Sequence, residues 1–240
     1  MLAVVDVRIP KEAERGLMAL GYKILKLPPH PLLASPVASH PDMLLFFAQT
    51  AVFCTEIYQK TAARELEYLS HFCRLPIVTI AEEVDESYPG DILLNAAQVG
   101  KHLLCRPSHT SLSLTKGSGL DVIPTRQGYA KCSTLPVGSH ALITEDASIT
   151  AAAKQRGLDV LQIMGGIVCL EGYDTGFLGG ATSFSPYGSF KQILFCGNLD
   201  MHPNAAQIKA FCKERGYDCI SLARLPLTDV GTIFLIDERI

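Results

Sequence analysis

A chain of 240 residues that is 48% hydrophobic and 19% charged is long enough to bury a substantial core and too apolar to remain disordered. Its 19 glycines and 14 prolines call for many turns and exclude collagen-like, coiled-coil and low-complexity architectures. With 21 Lys and Arg against 24 Asp and Glu the net charge is -3, so no positive field is available for nucleic acid. The longest apolar run, Met43 to Phe53, is broken by Gln49 and Thr50, short of the roughly 20 residues a membrane helix needs. The N-terminus reaches Asp6 without the basic start of a secretory signal, and the eight cysteines form no CxxC pair. A reduced, cytoplasmic protein is expected, with neither nucleic acid nor membrane as partner.

In chain order, Met1 to Val7 reads as a strand, Lys11 to Leu20 as a helix, and Tyr22 to Leu27 as a second strand. His40 to Cys54 reads as a β-hairpin, followed by a helix over Ala62 to Cys73 and a strand over Leu75 to Ile80. Pro89 to Cys105 repeats the hairpin, and Gly119 to Ile123 the closing strand. Ala130 to Thr144 is a third hairpin, with a helix at Ala151 to Arg156 and a strand after Gly157. Gly180 to Cys196 is a fourth, with a helix at Ala205 to Arg215 and a strand after Gly216. The last opening, Leu227 to Asp229, runs into Ile233 to Ile236 and has no helix after it.

The recurring element is a helix ended by glycine and followed at once by an apolar run: Gly21, Gly119, Gly157 and Gly216 occupy that place. Only glycine enters the left-handed conformation cheaply, so these positions predict helix ends. The copy after Cys73 lacks it. Five ββαβ units follow, the fifth assembled from both termini. The expected fold is an α/β ring, a five-bladed α/β propeller closed by pairing the N- and C-terminal segments, as one domain over residues 1–240. Closure leaves no long exposed sheet edge.

In such a ring the first strands line the centre, so the residues opening each hairpin converge. They are Asp42 with His40 just before it, Asp91, Cys132 with Lys131, the Ala181 to Ser183 region including Thr182, and Asp229. Carboxylates beside a thiol and an imidazole suit nucleophilic attack on a cationic substrate. The bland readings stand beside this one: His40 as a turn residue, the aspartates as turn caps, and cysteines as small core residues. Cys54, Cys73, Cys105, Cys169, Cys196, Cys212 and Cys219 fit the last of these. Cys132 differs in its polar neighbours Lys131, Ser133 and Thr134. There is no GxxxxGK loop, HExxH motif or complete GxGxxG, and His102, His109 and His202 have no metal-ligand spacing, so no metal or cofactor is expected.

Two segments resemble motifs of the pentein, or guanidino-group-modifying, superfamily, whose members are built from five ββαβ units. His40-Pro41-Asp42-Met43-Leu44-Leu45-Phe46 is similar to the His-Leu-Asp-Thr-x-Phe of arginine deiminases, and Gly128-Tyr129-Ala130-Lys131-Cys132-Ser133-Thr134 to their Gly-Gly-Ala-Arg-Cys-Met-Ser. The resemblance implies Cys132 as nucleophile and His40 as general acid and base, with Asp229 in the acidic unit preceding the histidine around the closed ring. Asp42 and Asp229 would hold a guanidinium or amidinium, with Asp91, Lys131, Thr182 and Ser183 also expected to line the substrate. Arg106, Arg126 or Lys131 would anchor a substrate carboxylate. The family's Glu-Gly-Gly-Asp is replaced by Leu225-Pro226-Leu227-Thr228-Asp229, and Gly179 to Ser185 stands where another guanidinium-binding aspartate is expected. The chain also resembles the ribosome anti-association factor of archaea and eukaryotes, a bare five-unit ring without a nucleophile, which implies a binding module instead. A ring with no long insertions leads to the expectation of a small open site or a docking surface.

Overall fold

Short, continuous apolar runs bounded by glycine and proline suit strands covered on both faces, and the computed structural model, which describes residues 1–188 and 190–238, forms its sheets from them. In chain order the elements begin with β1 (Leu2–Asp6), α1 (Lys11–Ala19) and β2 (Lys23–Leu27). Next come a one-turn helix α2 (Pro41–Leu44), β3 (Phe46–Phe47), β4 (Val52–Cys54), α3 (Glu56–Thr61), α4 (Ala63–Cys73) and β5 (Ile77–Thr79). They continue with β6 (Ala97–Val99), β7 (His102–Cys105), α5 (Leu112–Gly117) and β8 (Asp121–Pro124). Then follow β9 (Thr134–Val137), β10 (Ala141–Thr144), α6 (Ala147–Gln155) and β11 (Asp159–Gln162). The last are β12 (Ser183–Phe184), β13 (Gln192–Phe195), α7 (Ala205–Glu214), β14 (Asp218–Ser221) and β15 (Ile233–Ile236).

The strands lie in separate sheets rather than one closed sheet. In β3-β4-β5, β6-β7-β8 and β9-β10-β11 the middle strand runs antiparallel to the first and parallel to the last. The termini build the same pattern: β15 pairs antiparallel with β1, Leu2 opposite Ile236, and β1 pairs parallel with β2. The fourth expected hairpin, which includes Ser189 outside the described residues, departs from the pattern. Its β12 pairs parallel with β15, and the two arms of the hairpin are joined by an isolated Thr182–Phe195 bridge rather than a ladder, while β13 pairs with β14.

Helix ends follow the sequence closely. Gly21, Gly119, Gly157 and Gly216 have φ of 86°, 73°, 76° and 75°. In the copy lacking glycine, Arg74 itself adopts the left-handed conformation at φ 54° after α4. The first opening differs from expectation, because residues 41–44 are helical rather than extended. Pro41 at the first helical position has its φ set for a helix and no N–H to leave unpaired. Helices pack on the sheets through residues such as Leu17, Leu66, Leu69, Ile149 and Ile208, while Leu2, Val4, Val52, Leu104, Ile143 and Ile236 are buried in the strands. Among the described residues no helix is long and apolar enough to cross a membrane.

Candidate active site

Four loop-to-strand junctions deliver the polar residues of the interior. His40 and Asp42 lie at the start of α2, Asn95 just before β6, Lys131 and Cys132 just before β9, and Asp229 and Thr232 just before β15. His40, Asp42, Asn95, Lys131, Cys132, Asp229 and Thr232 are each at most 4% exposed. So many buried polar side chains persist only when they answer one another.

The thiol of Cys132 sits 3.2 Å from Asp42 Oδ2, to which it donates, and 3.1 Å from Asn95 Nδ2, which donates to it. Burial pushes the thiol well above its ordinary value, the Asp42 and Asp229 carboxylates push it further, and the Asn95 amide opposes them. Asp42 Oδ2 also lies 2.8 Å from the Thr232 hydroxyl, and that hydroxyl accepts from Lys131 Nζ at 2.9 Å. Gly179 O lies 3.1 Å from the same hydroxyl, but one proton serves one acceptor and the carboxylate is the stronger. Lys131 Nζ thus faces Asp42 through Thr232, 5.4 Å from the centre of the Phe184 ring. Burial draws its pKa down, against the pull of Asp42, Cys132 and Asp229.

On the other side, His40 Nδ1 lies 3.8 Å from Asp229 Oδ1 and Nε2 3.8 Å from Asp6 Oδ2. Asp6 is held by Arg8, and Asp229 accepts the N–H groups of Phe177 and Gly231, both at 2.9 Å. Burial raises the Asp229 carboxyl, with His40 opposing. The packing leaves no room for a larger backbone: a Cβ on Gly180 would lie 2.0 Å from Asp229 Oδ1.

His40, Asp42, Lys131, Cys132 and Asp229 are therefore brought into one buried cluster, and the remaining expected site residues are placed around it. Asp91 lies outside the cluster, where its Oδ2 takes the Tyr129 hydroxyl at 2.6 Å and burial raises its pKa. Thr182 donates to Gly179 O, and Ser183 Oγ accepts the Leu194 N–H, so both hydroxyls are hydrogen-bonded to the backbone, Ser183 as acceptor. The expectation of an open site needs correction. The cluster is closed, because the junction side chains fill the centre with hydrogen-bonded polar groups. An open cavity of about 340 Å³ is lined by Gln49, Gln98, Ser139, Ser183, Phe184 and Tyr217. A second, of about 10 Å³ and lined by Asp42, Gln98, Lys131 and four phenylalanines, has space for about one water. Neither is lined by Cys132, His40 or Asp229. Cys169, expected in the core, is exposed, in a segment outside the named strands that is joined to Thr228 by an isolated bridge.

Asn95, Thr232, Asp6 and Glu145 were not legible as site residues. The available signal for Asn95 was a lone amide in the run Ile92-Leu93-Leu94-Asn95-Ala96-Ala97. Glu145 accepts the Leu178 N–H at 2.8 Å, next to the amide held by Asp229. Burial raises it from 4.5 to about 7, with Asp229 adding to the rise. The folded protein then holds a proton that the unfolded chain releases, so the contribution of Glu145 to stability is complete below about pH 4.5 and is lost as the pH climbs through about 7. The loss amounts to on the order of 3 kcal/mol. Glu145→Gln, which keeps the acceptor for Leu178, is expected to flatten that fall in urea unfolding measured across the window. Parallel curves for variant and parent would contradict the assignment.

The sequence model of a family of unknown function, DUF6873, matches residues 4–234. No sequence match exists among the curated proteins. In structure the chain is similar to a dimethylarginine dimethylaminohydrolase, a histidine-to-glycine variant in adduct with S-methyl-L-thiocitrulline, at 10% identity and TM-score 0.56, covering 92% of this chain and 91% of that one. It is also similar to the Pseudomonas aeruginosa dimethylarginine dimethylaminohydrolase, a cysteine-to-serine mutant complexed with citrulline, at 9% identity and TM-score 0.53, with the same coverage. A third similar structure is the C. jejuni agmatine deiminase, at 9% identity and TM-score 0.56, covering 92% of this chain and 86% of that one. These neighbours are penteins, and the mixed α/β fold is of their kind.

Proposed function

We propose that this chain, which belongs to the DUF6873 family, hydrolyses a C–N bond of a small guanidino or amidino compound with Cys132 as nucleophile. The same reading makes it one cytoplasmic domain, a closed five-bladed ring of ββαβ units. The observation that carries it is the juxtaposition of the Cys132 thiol with the Asp42 carboxylate at 3.2 Å, beside the His40–Asp229 pair, on a pentein fold.

The chemistry follows from the charges. A thiol raised by two carboxylates and burial is a poor nucleophile until a cation arrives. A guanidinium or amidinium seated against Asp42 offsets that carboxylate, and the thiol proton passes to the His40 imidazole, which returns a proton to the sulfur at the end of the cycle, so the substrate activates its own nucleophile. Sγ then adds to the central carbon, and His40 donates a proton to the departing nitrogen, giving a free amine or ammonia and a covalent S-amidino intermediate. The neutral imidazole next takes a proton from water, whose oxygen attacks the same carbon and releases the thiolate with the urea or amide product. Asp229, at 3.8 Å, steadies the charged imidazole in both half-reactions.

A haloacetamidine is expected to alkylate Cys132 ahead of the other seven cysteines, including exposed Cys169, and guanidino compounds are expected to protect it, read by peptide mass spectrometry. A panel of amidino compounds scored for ammonia or amine release then identifies the substrate. One observation favours a second reading as a binding module. Lys131 places a cation beside Asp42 inside a closed interior. Labelling confined to Cys169, or spread over all the thiols, would support that reading and remove the enzyme.

A further inference from the structure

An amide inside a protein has one oxygen that accepts and one nitrogen that donates, and what each faces fixes which way it points. Asn95 is completely buried. Its Oδ1 accepts two successive backbone N–H groups, from Lys131 at 2.9 Å and Cys132 at 3.3 Å. A flipped amide would set its own N–H groups against both donors, so the nitrogen must lie on the other side. There Nδ2 is 3.1 Å from Cys132 Sγ, 3.2 Å from Met43 Sδ and 3.3 Å from the Asp42 carbonyl, all acceptors.

We infer that Asn95 is a catalytic residue, whose Nδ2–H holds the Cys132 thiolate while its Oδ1 pins the peptide that carries it. The inference rests on the proposed role of Cys132. In the resting site the sulfur donates to Asp42 and receives from Asn95. Once the thiol proton has left, the contact to Asp42 sets one anion against another, and the Asn95 N–H is the contact that strengthens, because a donor binds an anion more strongly than a neutral atom. The amide comes from the Asp91 unit, whereas the sulfur comes from the next one. Asn95 thus ties the nucleophile's position to a neighbouring repeat and leaves His40 to act on leaving group and water.

The test separates the donor from the clamp. Asn95→Asp has the same shape and keeps an oxygen for the Lys131 and Cys132 N–H groups, but places a carboxylate oxygen where the N–H stood. Asn95→Ala removes both functions. Thiolate absorbance is titrated with pH in each protein and in its Cys132→Ser counterpart, the difference giving the Cys132 midpoint. The charged groups facing that sulfur are Asp42 from α2, Asp229 from the segment before β15, and the adjacent Lys131. Tyr129 and, through Asp229, His40 lie beyond them. All are unchanged in the variants.

The midpoint is expected to rise by at least about one pH unit in Asn95→Asp, a tenfold loss of thiolate at fixed pH. Haloacetamidine labelling at neutral pH is expected to slow at least tenfold, with thermal unfolding and circular dichroism showing the variant folded. Asn95→Ala, which adds no charge, is expected to show a rise as well, which separates loss of the donor from the carboxylate that Asn95→Asp adds; should it unfold, Asn95→Leu takes its place. An unchanged midpoint in Asn95→Asp, or no thiolate in either protein below the pH of unfolding, overturns the inference. A raised midpoint in the Asn95 variants, alongside a parent protein that haloacetamidine never labels, would instead remove the guanidino reading and leave the hold of Asn95 on the sulfur standing.

Discussion

Replacing Lys131 with methionine is expected to destabilise the protein by about 3–5 kcal/mol, the usual cost of removing one partner from a buried charge cluster. Methionine matches the stem of lysine in length and apolarity, so little packing is lost and the change falls on charge. The ammonium donates to Thr232, which donates to Asp42, and all three are at most 2% exposed. Without the cation, Thr232 loses its buried donor and the Asp42 carboxylate loses the positive charge facing it through that hydroxyl. Urea unfolding at neutral pH measures the loss. A second variant identifies its source: Lys131→Ala leaves a lysine-shaped gap facing Asp42, and added propylammonium is expected to raise its melting temperature while leaving the parent unaffected. A Lys131→Met protein as stable as its parent would show that the cation is not needed to hold the Thr232–Asp42 bridge in the resting fold.

Gly231→Ala is expected to be of similar severity. This residue has φ +66°, where an L-residue costs about 1–2 kcal/mol. An added Cβ would also lie 2.1 Å from His40 Cβ and 2.5 Å from His40 Cα, so backbone as well as side chain has to give way. Gly231 N–H binds Asp229, and its carbonyl receives the Asp42 N–H at 3.0 Å. Three groups of the cluster therefore move with it. The expected result is a loss of about 3–5 kcal/mol together with a collapse of haloacetamidine labelling at Cys132. Parental stability and labelling in this variant would show that the position of His40 is not held by the close approach of this turn.

The two glycine roles explain which parts of the molecule could be read in advance. Gly21, Gly119, Gly157 and Gly216 act within one helix end, and a local rule identifies them. Gly180 and Gly231 act across the fold, against side chains some 50 and 190 residues away in sequence, and nothing in their flanking residues marks them. The same division separates Arg74 from Thr232, both left-handed and neither glycine. Arg74 fills the helix-end position of a repeat and could be placed by alignment with its sister units. The use of Thr232 as a bridge between Lys131 and Asp42 exists only once three loops meet.

From sequence alone came most of the strands and helices, the recurring helix, glycine and strand element, the pairing of the two termini, and the candidates His40, Asp42, Cys132 and Asp229. These follow from hydrophobic period, turn chemistry and repetition, which are properties of neighbours along the chain. Tertiary structure decided that the centre is closed, that Lys131 points a cation into it, that Asp91 is drawn off to Tyr129, and that Asn95 grips the sulfur. Those outcomes depend on which polar groups find partners when water is excluded, and a buried group's partner is chosen by distance in space rather than by position in the chain.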